Sequence, residues 1–468
     1  MAAGYFESEE VAQEAVFTLS FRESPFGGAY AIACGLDPAL DFLEHFRFAE
    51  DDLDYLSTLL DREQKPLFKP RFLDHLARLE FRCDVEAVDE GSIVFAHAPI
   101  LRVRGPLLQA QLVETALLNI VNFQTLIATK AARVTQAAGD EPVLEFGLRR
   151  AQGIDGGLSA SRAAYVGGCV ATSNVLAGKA YGIPVAGTHA HSWVMSFEDE
   201  VTAFEAFAST MAGNCILLVD TYDTLEGVRN AVEVGRRLRE QGHELLGIRL
   251  DSGDLARLSI EARRILDHAG FRETVIYASN ELDEWAIERL RALGAKIGAW
   301  GVGTRLVTGG DQAALGGTFK LNAVRSEAGD WLPRIKVSEQ TAKVSVPGVP
   351  QVRRFSRGGR FVGDMIYDER MPLPATTSMI DPADPGRRTT FTDDFEFEDL
   401  LRPALRRGRR ARQADSLDAV RARVQEQLAC LGADYKRFVT PDAYPVGLEE
   451  GLNTLRSRMI HDPRKGHR

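Results

Sequence analysis

The sequence predicts an α/β protein: an irregular βα barrel with an α+β domain built from the N-terminal and C-terminal regions. From about residue 143, short apolar runs alternate with helical segments at a spacing of roughly 30 residues, the length of a βα unit. Several helical segments end at a glycine that suits a left-handed C-terminal cap. The apolar runs are continuous, which is typical of strands buried in a parallel sheet.

The predicted barrel covers residues 143–325. Its strands are Val143–Phe146, Ile183–Gly187, Cys215–Asp220, Glu244–Leu250, Thr274–Ala278 and Lys296–Gly301. The helices between the later strands include Thr224–Gln241, Asp254–Ala269 and Glu281–Leu293, which end before Gly242, Gly270 and Gly294. A strand begins again within a few residues of each glycine, so each helix returns the chain to the sheet.

Residues 1–142 are predicted to form the N-terminal α+β domain. The strands are Val16–Phe21 and Ser92–Ala96, and the helices are Leu40–Phe46, Asp51–Leu60, Arg71–Leu79 and the apolar Leu107–Thr125.

Residues 326–468 form a C-terminal region with strand-like runs in Leu332–Asp364 and an amphipathic helix at Asp415–Leu431. Because neither terminal region has a long regular core by itself, we expect this region to pack on the N-terminal domain. The arginine run Arg402–Arg412 is predicted to be a solvated surface loop, and contact with a partner is the alternative.

Charge and cysteine content narrow the class of protein. The chain has 468 residues and a net charge of −10, which argues against a general binder of nucleic acid or of anionic membranes. Five scattered cysteines without a CxxC pair predict neither a disulfide framework nor a zinc site. The acidic N-terminus and the absence of a run of about 20 apolar residues predict a cytoplasmic protein that is neither exported nor membrane-spanning.

The ends of the predicted strands carry candidate chemistry, because the loops at the C-terminal face of a barrel hold its active site. Phe146 can stack on a flat ring, and Arg149 can pair bidentately with a carboxylate on that ring. In the alternative interpretation, Arg149 or Arg150 bridges to an acidic residue elsewhere.

Two further strand ends suit a phosphorylated sugar. Asp251, close to Arg249, could hold two sugar hydroxyls or a magnesium ion, whereas Asp254 equally suits a helix N-cap. The Gly301-Val-Gly-Thr304 turn, together with Ser279, suits one phosphate held between the last two strands. Taken alone, this turn is more simply a connection from strand to helix.

His189 and His191 allow three interpretations. A His-x-His at a strand end could bind zinc, but the later histidines, His243 and His268, fall at the end of a helix and inside a helix. The second interpretation is a single catalytic or phosphorylated His191. The third is a core histidine bonded to the backbone.

Taken together, the motifs resemble those of the nicotinate phosphoribosyltransferases, a family of type II phosphoribosyltransferases, along nearly the whole chain. The matching segments are Asn122–Thr125, Phe146–Arg150, Thr172–Asn174, Ala190–Val194, Val219–Thr224, Asp251–Asp254, Gly301–Thr304 and Tyr444–Val446.

The resemblance implies a reaction. The family condenses nicotinate with phosphoribosyl pyrophosphate (PRPP) to give nicotinate mononucleotide and pyrophosphate, in NAD salvage. ATP hydrolysis drives the equilibrium through a phosphorylated histidine, whose position His191 matches. The resemblance also implies Mg²⁺ and a homodimer with shared active sites.

The resemblance also assigns site residues. Phe146 and Arg149 match the pyridine site, and Arg249 and Asp251 match the ribose and pyrophosphate site, with Asp251 as the candidate Mg²⁺ ligand. The 5′-phosphate site and the remaining substrate contacts are matched by Ser279, Gly301, Gly303, Thr304, Ser192 and Asp220. Ser173 stands where nicotinamide-using relatives carry an aspartate, so it favours the acid substrate.

One departure concerns the N-terminus. Family members usually carry a Leu-Tyr-Gln-Leu-Thr-Met-like segment before the Gly4–Phe6 region, and its tyrosine stacks on the pyridine from the partner subunit. This sequence begins at that methionine. A start assigned too late, a shortened chain and a copy that binds nicotinate poorly are the three explanations.

Two alternatives to an active nicotinate phosphoribosyltransferase follow. A nicotinamide-using or quinolinate-using relative is disfavoured by Ser173 and by the single arginine pair. A non-catalytic paralogue is disfavoured because His191, Asp251 and the glycine turn are all present.

Overall fold

The computed structural model describes residues 1–8, 13–340 and 343–462. The chain divides into two compact units. Unit 1 comprises Met1–Leu126 and Ala314–Arg468, and unit 2 comprises Ile127–Ala313. The sequence predicts boundaries after residues 142 and 325, so both observed divisions lie earlier in the chain.

The α-helices are α1 (Ala2–Glu7), α2 (Leu36–Glu44), α3 (Glu50–Thr58), α4 (Pro70–Ala77), α5 (Leu107–Leu112), α6 (Glu114–Ala138), α7 (Gly153–Val166), α8 (Val175–Tyr181), α9 (His191–Met195), α10 (Glu200–Thr210), α11 (Thr224–Glu240), α12 (Leu255–His268), α13 (Glu284–Ala292), α14 (Thr304–Val307), α15 (Leu417–Cys430) and α16 (Glu450–His461). Short 3₁₀ helices lie at Pro25–Gly27, Leu148–Arg150, Ala212–Asn214 and Ala433–Lys436. None of the described helices is long and apolar enough to cross a bilayer.

The strands are β1 (Glu14–Phe21), β2 (Ala31–Ile32), β3 (Asp84–Ala87), β4 (Ile93–Val94), β5 (Leu101–Pro106), β6 (Val143–Glu145), β7 (Ala171–Thr172), β8 (Ile216–Leu218), β9 (Gly247–Leu250), β10 (Val275–Ala278), β11 (Ala299–Val302), β12 (Gly317–Arg325), β13 (Trp331–Pro333), β14 (Pro350–Arg357), β15 (Arg360–Asp368), β16 (Thr377–Ile380), β17 (Arg388–Phe391), β18 (Glu396–Asp399), β19 (Arg402–Arg406), β20 (Arg409–Arg410) and β21 (Val446–Glu449).

Unit 2 contains a parallel sheet of six strands in the order β7-β6-β11-β10-β9-β8. The sheet does not close on itself, because β7 and β8 are its edges. This half-barrel confirms the predicted α/β class and the irregular βα barrel. Since all six strands are parallel, their carboxyl ends meet along one edge, where ligands of open α/β sheets bind.

Local signals in the sequence set the bounds of the later βα units. Asp254 accepts a hydrogen bond from the Arg257 N–H at 3.1 Å and so caps α12. Gly242, Gly270 and Gly294 follow the last turns of α11, α12 and α13 with φ of 83°, 85° and 75°. The predicted left-handed caps are therefore confirmed, and Asp254 is a helix cap.

The predicted strand Ile183–Gly187 is wrong. Val185 makes one isolated bridge to Thr172, and the strand that pairs with β6 is β7. Pro184 has no N–H to donate to a ladder, and Val185 is 50% exposed at the edge of the sheet.

Unit 1 joins both ends of the chain in one sheet. Its seven-stranded sheet has the order β13-β12-β1-β5-β3-β19-β20, so N-terminal strands pair with C-terminal strands. Phe17 of β1 stacks on Phe319 of β12 with ring centroids 5.0 Å apart. The unit also contains a six-stranded sheet, β17-β16-β21-β15-β14-β18, and the two-stranded sheet β2-β4. The predicted α+β domain built from both terminal regions is confirmed.

Two expectations for unit 1 need correction. The predicted helix Leu107–Thr125 is two helices, α5 and α6, which meet at Val113, and α6 continues to Ala138. Its amphipathic pattern continues past the point where the apolar run ends.

The arginine run Arg402–Arg412 is also different from the prediction. It forms the β19–β20 hairpin, and four of its guanidinium groups, those of Arg402, Arg406, Arg410 and Arg412, pair with acidic residues from distant parts of the chain. Arg410 pairs with Asp37, Asp41 and Glu44. These acids lie more than 360 residues earlier, so a local reading of the sequence does not show them.

Candidate active site

Unit 2 has a cavity of about 360 Å³ at the carboxyl ends of its strands. The lining residues are Phe146, Arg149, Arg150, Ser173, Gly187, Thr188, His189, Ala190, Arg249, Asp251, Ser279, Asn280, Glu281, Gly301, Gly303 and Thr304. Of the predicted site residues, those that do not line it are His191, Ser192 and Asp220. The lining carries three arginines and two carboxylates, and it is therefore cationic in a chain of net charge −10.

An aromatic ring and two arginines stand at one end of the cavity. Phe146 directly follows β6, and the 3₁₀ turn Leu148–Arg150 then presents Arg149 and Arg150, both exposed. Within the described part of the chain, neither guanidinium forms an ion pair. The alternative in which these arginines bridge to an acidic residue is therefore not supported.

Gly301 allows the Phe146 ring to occupy its place. A Cβ atom at Gly301 would lie 2.7 Å from two atoms of that ring. No side chain larger than hydrogen fits there unless the ring moves. The glycine next to the proposed phosphate turn thus also shapes the aromatic wall.

Arg249, Asp251 and Ser279 form a polar network across the ends of β9 and β10. The Ser279 hydroxyl donates to Asp251 Oδ1, and Arg249 Nε donates to Ser279 Oγ at 3.1 Å. Arg249 Nη2 lies 3.6 Å from Asp251 Oδ2. The network holds a cation and an anion side by side on the cavity wall.

Asp220 supports this network by holding the loop that follows β9. Its side chain is buried, and Oδ2 accepts hydrogen bonds from the Asp251 N–H at 2.7 Å and the Ser252 hydroxyl at 2.6 Å. Its Oδ1 is buried and makes no hydrogen bond to any described residue. Asp220 thus holds the Asp251 loop in place and does not reach the cavity.

His191 lies beside the cavity at the first position of α9. Its Nδ1 is 3.2 Å from Thr221 Oγ1, and its Nε2 is 3.6 Å from Asp251 Oδ2. The side chain is 39% exposed, so a ligand can reach the ring. Ser192 is exposed on the same helix and lies outside the cavity lining.

His189 is a core histidine. It is 7% exposed, and its Nε2 accepts the Leu218 N–H at 3.1 Å. Burial, reinforced by the nearby Arg249 and His191, lowers the pKa of His189 to about 4, so its ring is neutral near pH 7. Among the described residues no group of three or more His, Cys, Asp or Glu side chains could hold a metal ion.

The glycine turn lies beside the aromatic wall. Gly301 lies within β11, and Gly303 precedes the single helical turn α14. A Cβ at Gly303 would lie 3.2 Å from the Phe146 carbonyl oxygen, so the two loops are in close contact. Backbone N–H groups of such a turn and the Ser279 hydroxyl can bind a phosphate.

Two hydroxyls that support the site were not predicted from the sequence. Thr188 Oγ1 accepts a hydrogen bond from Arg249 Nη1 at 2.5 Å, and Thr221 holds the His191 ring. Both follow predicted strands, but threonine is common in such turns. Their position next to His189 and Asp220 was the available signal.

Comparisons with known proteins identify similar sequences and structures. Family models described as the nicotinate phosphoribosyltransferase N-terminal domain, the nicotinate phosphoribosyltransferase family and the nicotinate phosphoribosyltransferase C-terminal domain match residues 1–122, 143–328 and 351–456.

Individual relatives match over nearly the full length. The chain is 42% identical to the nicotinate phosphoribosyltransferase of Bacillus subtilis, with 99% of this chain and 93% of that protein covered. It is 35% identical to the human nicotinate phosphoribosyltransferase over 97% of this chain and 94% of that protein. The crystal structure of human nicotinic acid phosphoribosyltransferase superposes with a TM-score of 0.86 at 33% identity, covering 98% of each chain.

Proposed function

This chain belongs to the nicotinate phosphoribosyltransferase family, and we propose that it joins nicotinate to PRPP in the cavity of unit 2. The products are nicotinate mononucleotide and pyrophosphate, and the reaction is a step of NAD biosynthesis. The observation that carries this assignment to the cavity is the cationic pocket at the strand ends, which is lined by an aromatic ring and by a glycine turn packed beside that ring.

The pyridine ring and its carboxylate fit the Phe146 end of the cavity. The ring of Phe146 offers a flat face, and Arg149 has no competing carboxylate among the described residues. A guanidinium binds a carboxylate through two parallel hydrogen bonds. Ser173 adds no negative charge beside this carboxylate, which favours nicotinate over nicotinamide.

Arg249 and Asp251 fit the reacting centre. The pyridine nitrogen forms a bond to C1 of the ribose while the bond from C1 to the pyrophosphate oxygen breaks, and the electron pair leaves with pyrophosphate. Positive charge develops on the ribose, so the Asp251 carboxylate would stabilise it and Arg249 would stabilise the leaving group. The 5′-phosphate would bind Ser279, Gly301, Gly303 and Thr304.

The residues present also fit Mg²⁺. This ion usually takes one or two protein carboxylates and completes its shell with substrate phosphates and water. Asp251 is a carboxylate at the cavity wall, and the buried Asp220 Oδ1 below it has no hydrogen-bond partner among the described residues. When bound, the ion would neutralise charge on the pyrophosphate.

We assign the ATP coupling to His191. In the tautomer whose Nδ1–H donates to Thr221 Oγ1, Nε2 would carry the lone pair on the Asp251 side of the ring. The γ-phosphorus of ATP would form a bond to Nε2 as its bond to the ADP oxygen breaks, and ADP leaves. The charged phosphate on His191 would then draw in arginines near PRPP.

In a homodimer with shared active sites, unit 1 of one copy would bind part of the substrate held by the partner copy. Unit 1 has its own cavity of about 490 Å³. The cations in its lining are Arg22, Lys320, Arg334 and Lys336. Burial and the neighbouring cations lower the pKa of Lys320 to about 8, as expected of a site built for anions. The polyphosphate of a substrate held by the partner copy suits this cavity.

The cytoplasm is the proposed location. Among the described residues all five cysteines are free thiols, as expected in a reducing compartment.

The assay that tests the function uses the purified chain with nicotinate, PRPP and Mg²⁺, with and without ATP, and separates products by chromatography. We expect nicotinate mononucleotide and pyrophosphate in equal amounts, and more product with ATP. Nicotinamide and quinolinate run in parallel should give little product. Absence of product from all three bases would refute the enzyme assignment and favour a non-catalytic paralogue.

A further inference from the structure

A buried carboxylate lies outside the cavity lining, at the end of the strand that carries Phe146. Glu145 is the last residue of β6, and its side chain is 0% exposed. Among the described residues no lysine, arginine or histidine pairs with it. A buried carboxylate without a cation is costly unless hydrogen bonds satisfy it, so its donors define its role.

The donors come from three places that converge on the Glu145 carboxylate. The Gly147 N–H donates to Oε1, and the hydroxyls of Ser161 and Thr172 lie 2.8 and 2.5 Å from Oε2. The Glu145 main-chain oxygen also accepts the Ser173 N–H at 2.9 Å. One residue therefore contacts the loop after β6, the helix α7 and the loop after β7.

Two of these segments carry the cavity residues that face the proposed pyridine carboxylate. Gly147 precedes the 3₁₀ turn that presents Arg149, and Thr172 precedes Ser173. Asn174 extends the network, since its N–H donates to Thr172 Oγ1 at 3.0 Å and its side chain caps α8.

Gly147 also contacts the glycine turn, so its placement matters beyond the pyridine end. A Cβ at Gly147 would lie 2.9 Å from the Gly303 carbonyl oxygen and 2.3 Å from Val307 Cγ1. Gly147 is therefore packed closely against the glycine turn and α14. Its N–H also donates to the Glu145 carboxylate, which restrains the same backbone.

We infer that Glu145 is a positioning residue for nicotinate: its carboxylate ties the loop of Phe146 and Arg149 to the loop of Ser173. This inference rests on the proposed function of the cavity. Glu145 does not touch the substrate, because it is fully buried and absent from the lining. Glu145 would set the distance and angle between Arg149 and Ser173, which would flank the carboxylate of the bound nicotinate.

A carboxylate suits this place better than an amide. All three contacts are donors, and both oxygens of a carboxylate accept. Glutamine would keep one acceptor oxygen for the Gly147 N–H, whose direction is fixed. Its NH₂ group would face the hydroxyls of Ser161 and Thr172, which can rotate so that their oxygens accept. Alanine would leave the Gly147 N–H and the Thr172 hydroxyl without this acceptor, whereas the Ser161 hydroxyl could still donate to the Gly157 carbonyl oxygen at 2.9 Å.

The experiment compares steady-state kinetics and calorimetric binding of nicotinate for the full chain and five variants. Because a buried donor loses its acceptor, we expect Glu145→Ala to raise the KM for nicotinate about thirtyfold and Glu145→Gln about fivefold. The KM for PRPP should change less than about threefold.

Thr172 offers a matched pair that leaves Glu145 intact. Thr172→Val removes the hydroxyl without changing the shape of the side chain, and it should raise the KM for nicotinate about fivefold. Thr172→Ser keeps the hydroxyl, and its KM for nicotinate should equal that of the wild type. This pair decides the question if Glu145→Ala does not fold.

A control separates positioning from general stability. Glu86 is a buried carboxylate of β3 in unit 1 that pairs with Arg102. Glu86→Gln should lower the melting temperature and leave both KM values unchanged. Equal rises in the KM values for nicotinate and PRPP in the Glu145 variants would overturn the inference, and so would an unchanged nicotinate Kd. A wild-type chain that makes no product but binds nicotinate would refute only the proposed function.

Discussion

His191 at the start of α9 and Asp251 directly after β9 approach each other, with Nε2 of the histidine 3.6 Å from Oδ2 of the aspartate. Arg249 Nη2 lies at the same distance from the same oxygen. The proposed phosphorylation site and the proposed ribose carboxylate are therefore in direct electrostatic contact. A phosphate on Nε2 would repel Asp251 and attract Arg249, which links ATP use to the reacting centre.

We expect His191→Ala to abolish the stimulation by ATP while slow synthesis without ATP continues. The ratio of rates with and without ATP should fall to about one, because no nucleophile remains for the γ-phosphate. The measurement is nicotinate mononucleotide formation together with ADP release. Ser196→Ala, an exposed serine at the end of the same helix, is the control. ATP coupling that survives in His191→Ala would refute the phosphohistidine assignment.

Arg149→Ala should raise the KM for nicotinate about thirtyfold or more and change the KM for PRPP less than about threefold, because the carboxylate loses a bidentate partner. The KM of Arg149→Lys for nicotinate should lie between those of the wild type and Arg149→Ala, since an ammonium group keeps the charge but cannot form two parallel hydrogen bonds. Initial rates over both substrates provide the test. Comparable changes in both KM values would make Arg149 a structural residue.

Gly301→Ala should reduce kcat/KM for nicotinate about tenfold or more, because the new Cβ would lie 2.7 Å from the Phe146 ring and displace it. Gly213→Ala is the matched control, since a Cβ there meets nothing within 4 Å. Normal kinetics of Gly301→Ala would show that the ring position does not matter for binding.

The buried His189 predicts acid destabilisation. Burial lowers the folded-state pKa of His189 to about 4, below the unfolded value of 6.5, so the unfolded chain binds the extra proton between these values. Stability is therefore fully present above pH 6.5 and falls as the pH decreases toward 4, by up to about 3 kcal/mol.

Urea unfolding between pH 7.5 and pH 4.5 measures this loss. His189→Gln can keep an acceptor for the Leu218 N–H and has no titrating ring, so its stability should fall less over the same range. Parallel curves for the two proteins would show that other groups cause the acid loss.

Mixed dimers test the shared active site. Chains with His191→Ala lack the proposed phosphorylation site of unit 2. Chains with Lys320→Ala lack a cation of the unit 1 cavity. If the partner copy supplies that cavity, a mixed dimer regains one intact site, and the ATP-stimulated rate should exceed that of either variant. Light scattering after chromatography establishes the dimer. A mixture no more active than its components would refute sharing.

Several parts of the site were predictable because local signals in the sequence encode them. Phe146, Arg149, Asp251 and Ser279 follow apolar strands and Arg249 lies near the end of one, and a parallel sheet brings strand ends together whatever the rest of the fold. The same logic was only half successful for Asp220. It follows β8 as expected, but its carboxylate is directed at the Asp251 backbone beneath the cavity.

By itself, the sequence determined the βα repeats, their caps and the residues at the strand ends, because apolar periodicity, capping side chains and left-handed glycines act within a few residues. Only the tertiary structure decided which groups are buried and which partners they meet. The hydrogen bonds of Glu145, the neutral state of His189 and the pairing of Arg410 with distant acids join residues far apart in the chain. Burial and electrostatics depend on such contacts, and sequence spacing does not contain them.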